Sequence, residues 1–169
     1  MDGNTASPRW NPRCCQKGVV LARRFYGDRR VNGAFIRKGW KEWVDKGFPR
    51  DPKTGAAPKE NMSRGWDGWV KVPHETAYKY HAKALENIAR AYSGDEGKRR
   101  LLAQGYDPDM VNAIGGAGTR VMKHRGGMAK QGELRIFGAP RFGNSLALLD
   151  HHVRGVPPEE AKGSGTWDS

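Results

Sequence analysis

Pro73-His74-Glu75-Thr76-Ala77-Tyr78-Lys79-Tyr80-His81-Ala82-Lys83-Ala84-Leu85-Glu86-Asn87-Ile88-Ala89-Arg90-Ala91-Tyr92-Ser93 is the stretch from which the fold class follows. Tyr78, His81, Ala82, Leu85, Ile88, Ala89 and Tyr92 recur at steps of three and four, whereas Lys79, Lys83, Glu86 and Arg90 fall on the other side. That spacing makes one apolar stripe and one wet face, the pattern of an amphipathic helix laid on a core. The ends agree with it. Pro73 suits a first turn, Glu75 complements the positive end of the dipole, and Gly94 can adopt a left-handed cap. A helix is expected over 73–93.

Towards the C-terminus, shorter helices are expected near 96–104 and 108–114, the latter opened by Asp107-Pro108 and closed by Gly115-Gly116. Thr119–His124 reads as a further turn of helix and Glu133–Phe137 as an isolated strand. Asn144 or Ser145 caps a last helix near 145–153, with Leu146, Leu149 and Val153 on one face. Towards the N-terminus, Asn32 is a good cap for a helix near 33–46, which carries Phe35, Ile36, Trp40, Trp43 and Val44 before Gly47 stops it. The fold class expected is mainly α: a small helical core with extended basic arms and long loops. Its parts are a basic arm at 1–31, a helical domain at 32–155 with a Pro-rich connector at 48–62, and a flexible tail at 156–169.

Composition bounds the rest. In 169 residues there is room for about one modest domain. Lys plus Arg number 30 against 18 Asp plus Glu, a formal charge of +12, which asks for an anionic partner. The excess lies in residues 1–71, with 16 basic and 7 acidic side chains, against 14 and 11 in the remainder. Apolar residues are only 37%, so a partner that supplies counter-charge and apolar surface would complete the fold. No apolar run reaches the about 18 residues of a membrane span. The six arginines of residues 1–30 are compatible with an organellar import signal, and the adjacent Cys14 and Cys15 suit a reducing compartment.

The most individual motif is a duplication, Lys38-Gly39-Trp40-Lys41-Glu42-Trp43-Val44 and Arg64-Gly65-Trp66-Asp67-Gly68-Trp69-Val70, two copies of [KR]-G-W-x-x-W-V set 26 residues apart. Tryptophans at i and i+3 share a helix face, so each pair offers either a ring surface flanked by cations or two core side chains. Arg23-Arg24-Phe25-Tyr26-Gly27-Asp28-Arg29-Arg30 brackets two aromatics with four guanidinium groups, suited to phosphate contact with stacking or to a solvated basic loop. The candidate anion-binding residues are thus Arg23, Arg24, Arg29, Arg30, Arg37, Lys38, Lys41, Arg64 and Lys71. The candidate docking aromatics are Trp40, Trp43, Trp66 and Trp69.

Leu101–Val111 followed by Thr119–His124 resembles a bacterial helix-turn-helix module, with a Leu-Ala-x-Gly lead-in and a basic second segment ending at His124. The resemblance implies DNA binding, although Gly115-Gly116-Ala117-Gly118 departs from the usual turn. Gly115–Gly118 lacks the Lys-Ser/Thr of a phosphate-binding loop. Asp150-His151-His152 is the nearest approach to a metal cluster, but neighbouring helical imidazoles diverge and no spaced partner accompanies them. With no Ser/His/Asp set or carboxylate pair in view, neither catalysis nor a cofactor or metal is expected.

The function expected is that of a non-catalytic structural subunit of a large organellar assembly. A mitochondrial ribosomal protein contacting rRNA and protein neighbours comes first, placing it in the matrix. The alternative is an accessory subunit of an inner-membrane complex, such as an ATP synthase or respiratory complex, contacting anionic lipid from the matrix face.

Overall fold

The computed structural model describes residues 20–125 and 137–167. The chain divides into two units, Met1–Ala34 and Phe35–Ser169. In the first, α1 (Leu21–Tyr26) is a short helix closed by the Gly27 N–H donating to Arg23 O at 2.9 Å. The Arg30 guanidinium sits 5.3 Å from the Phe25 ring centroid. This part of the expected arm therefore has helical structure of its own. Cys14 and Cys15 lie outside the described residues.

The remaining elements are β1 (Ala34–Arg37), α2 (Lys38–Asp45), a 3-10 turn at Lys59–Met62, β2 (Trp69–Val72), α3 (His74–Ala91), α4 (Gly94–Ala103), α5 (Pro108–Ile114), a second 3-10 turn at Gly118–Val121, β3 (Lys123–Arg125), α6 (Ala139–Arg154) and β4 (Gly165–Trp167). β1 pairs with β2, and β3 runs parallel to β4 with Lys123 opposite Gly165. The protein is mainly α, as its periodicity requires. No helix among the described residues is long and apolar enough to cross a membrane.

α3 is the central helix, touching α2, α4, α6 and the second 3-10 turn. Its last turns carry Ala89 and Ala91, both buried, and the small side chains let the turn come close. A Cβ added at Gly118 would lie 2.0 Å from the Ala89 carbonyl oxygen. The Ser93 hydroxyl bridges the contact, donating to Ala89 O and accepting from the Gly118 N–H. Gly115–Gly118 is therefore a packing joint. The second helix of the helix-turn-helix pattern is replaced by a 3-10 turn and strand β3, which corrects that resemblance; of the helical turn expected at Thr119–His124, Thr119–Val121 is 3-10 helix and Lys123–His124 is strand.

α5 stands as read: Asp107 caps it by accepting from the Asp109 and Met110 N–H groups, and Gly115 closes it at φ 63°. α6 starts at Ala139 rather than 145 because Ser145 does not cap. Its hydroxyl instead donates back to Arg141 O at 2.7 Å, one turn earlier. Of the strand expected at 133–137, residues 133–136 lie outside the described residues.

The helix expected at 33–46 is corrected to a strand followed by a helix. Phe35 is exposed and Ile36 buried, an alternation of period two satisfied by pairing with residues more than thirty positions away. The connector at 48–62 is not a free linker. Arg50 donates to Gly55 O and Asn87 Oδ1, with its guanidinium 5.2 Å from the Trp43 ring and 5.6 Å from the Tyr92 ring. The tail is not loose either. The Lys162 N–H donates to the buried Asp150 carboxylate at 2.8 Å, Thr119 donates to Lys162 O, and β4 joins β3.

Candidate functional site

The two [KR]-G-W-x-x-W-V copies are not two similar structures. The first begins helix α2; the second is a turn at 64–67 leading into strand β2. They are nonetheless joined. Arg37, at the helix N-cap, offers no side-chain acceptor, and both oxygens of Asp67 take that role by accepting from the Gly39 N–H at 2.9 and 3.1 Å. The Lys38 N–H donates to Gly68 O at 2.8 Å, and Asn61 donates to Gly39 O. A Cβ on Gly39 would meet Asp67 Oδ2 at 3.1 Å, so the motif glycine admits the cap. An anion at a helix N-terminus is stabilising. Asp67→Ala is expected to cost about 1 kcal/mol, read as a lower urea midpoint; an unchanged midpoint would show that the cap contributes nothing.

This joint sorts the four motif tryptophans. Trp43 is 5% exposed and belongs to the core, correcting its assignment as a docking aromatic. Trp40 is half-buried, its ring 6.3 Å from Tyr80. Trp66 and Trp69 are 94% and 65% exposed. The cations sort as well. Arg23, Arg24, Arg29 and Arg30 are exposed in the first unit. Lys41 is engaged: it pairs with Asp45 at 2.7 Å and lies 5.3 Å from the Tyr80 ring, and the hydrogen bond to Asp45 raises its pKa. Asp45 is lowered by the same bond and by the Tyr80 hydroxyl. Lys38, Arg64 and Lys71 are exposed and have no carboxylate partner among the described residues. Lys71 shares the outward face of β2 with Trp69.

Elsewhere some cations are paired internally, Lys79 with Glu75, Arg90 with Glu86 and Arg154 with Asp150 among them. Arg99 and Arg100 both donate to Glu96, whose pKa falls to about 2, chiefly through the Arg99 hydrogen bond. Asp150, beside His151 and His152, is occupied by Arg154 and the Lys162 N–H rather than by a metal arrangement.

Between β1, β2, α2 and the first turns of α3 lies an open cavity of about 490 Å³ lined chiefly by Phe35, Arg37, Trp40, Trp69, Tyr78 and His81. Here the apolar stripe of α3 is less covered: Tyr78 is 69% exposed, and His81 is exposed with its ring 6.5 Å from that of Phe142 in α6. Arg37 Nη1 is buried and donates to no acceptor among the described residues. Phe35, Tyr78 and His81 escaped the sequence reading, which placed the first two and His81 on packing faces. Their spacing was the signal, but not which end of the stripe stays open.

No protein-family model and no curated protein sequence matches the chain.

Proposed function

We propose that the protein is a non-catalytic structural subunit of a ribonucleoprotein, an organellar ribosome in the first instance, contacting RNA through the joint of its two tryptophan motifs. The observation that carries this reading is the company kept by Trp66 and Trp69. Exposed rings stand in the same short segment as Arg64 and Lys71, with Lys38 joined to it through Gly68 O, and these three exposed cations have no carboxylate partner among the described residues. Cations left without internal partners beside exposed rings suit phosphates with adjacent bases.

Binding of a single-stranded RNA should weaken steeply with salt, each phosphate neutralised adding about 0.7 to the slope of log affinity on log salt. The triple variant Lys38→Gln, Arg64→Gln, Lys71→Gln should bind at least about tenfold more weakly at low salt and flatten the slope by about 2. The competing reading, a subunit resting on a membrane, is favoured by the exposed tryptophans, which also suit a lipid interface. Binding to cardiolipin-containing vesicles without binding to RNA would establish it and end the ribonucleoprotein reading.

A further inference from the structure

The cavity beside Trp69 is built for more than charge. Its walls come from four elements: Phe35 and Arg37 from β1, Trp40 from α2, Trp69 from β2, and Tyr78 and His81 from α3. Rings that a small core would ordinarily bury are held open here, on a helix whose stripe becomes half-buried at Leu85 and Ile88 and buried at Ala89. No aspartate or glutamate lines the cavity. Its cation, Arg37, is half-buried, lines the cavity and has no carboxylate partner among the described residues. Aromatic walls ask for a flat, π-bearing group; a lining guanidinium with no opposing acid asks for an anion attached to it. A volume of about 490 Å³ lies within the range of small-ligand sites. The concavity disfavours a bilayer surface, which meets convex, not recessed, side chains.

We propose that this groove takes one unstacked base of single-stranded RNA between Trp69 and Tyr78, with Arg37 holding the adjoining phosphate. The proposal rests on the RNA reading above and adds a base-dependent contact to a charge-dependent one.

The test uses the full chain and two labelled strands of equal length and charge, a twelve-residue oligouridine and its abasic ribose-phosphate counterpart, compared by fluorescence anisotropy at one salt concentration. Stacking on aromatic side chains is expected to make the oligouridine bind about tenfold more tightly. Trp69→Ala, and independently Tyr78→Ala on the exposed face of α3, should erase that preference while leaving the abasic strand's affinity unchanged. Arg37→Gln should weaken both strands. Equal affinity of the unaltered chain for the two strands would overturn the groove and leave the ribonucleoprotein reading standing. Binding of neither strand, with binding of anionic vesicles or of an acidic aromatic peptide instead, overturns both.

Discussion

Trp43→Ala is expected to destabilise the protein by about 4 kcal/mol, the range for deleting a large buried aromatic. Trp43 is 5% exposed, its indole N–H donates to Pro49 O at 2.8 Å, and the Phe48 ring meets it edge-on at 4.9 Å between centroids. The Arg50 guanidinium also lies 5.2 Å from its ring and 5.6 Å from that of Tyr92. Truncation therefore opens a cavity, leaves a carbonyl without its donor, and takes a ring from a half-buried guanidinium whose own burial already lowers its pKa. The loss should appear as a reduced urea midpoint and a melting temperature lower by about 10 °C. Trp69→Ala, in the corresponding place of the second motif copy, should stay within about 0.5 kcal/mol because its ring is largely in water. If the two variants were equally stable, the division of the motif into one core and one surface copy would be wrong.

Asp150→Ala is the second large effect, expected to cost about 3–5 kcal/mol, because it strands one half of a buried pair. Asp150 is fully buried, and its carboxylate accepts from Arg154 Nε at 2.7 Å, from Arg154 Nη2, and from the Lys162 N–H at 2.8 Å. The hydrogen bond to it is the main reason the Arg154 pKa is raised. The same carboxylate latches the returning tail, where a Cβ on Gly163 would fall 2.4 Å from Gly143 O. Without it, the pairing of β4 with β3 should open. Hydrogen exchange reads this directly: amides in the Gly165–Trp167 segment should lose protection well before those of α3. Asp150→Asn, which keeps an acceptor oxygen, should lose less on both measures. Unchanged protection in Asp150→Ala would show that the tail is held by other contacts.

These two residues mark the boundary of what was legible beforehand. Asp150 read as a polar neighbour of two histidines, since the partner that explains it, the Lys162 N–H, lies twelve residues on. Trp43 and Trp69 occupy equivalent places in one motif, and nothing within either copy separates them. What separates them is that the first copy became a helix under the connector, and the second a strand at an edge. The connector misled for a related reason: Pro and Gly report the absence of regular structure, not the absence of packing, and Arg50 reaches α3 from within it.

By itself the sequence determined the mainly helical character, the basic excess, and elements such as α5 whose caps and periodicity lie within one turn of the residues they govern. Hydrogen bonds and side-chain spacing over three or four positions are local physics, written in neighbouring letters. The tertiary structure alone decided that Asp67 caps α2 from 28 residues away, that the tail closes on Asp150, and that Trp69, Tyr78 and Arg37 share one open groove. Burial depends on what arrives from far along the chain, and a ring's own residue type is the same on either side of that outcome.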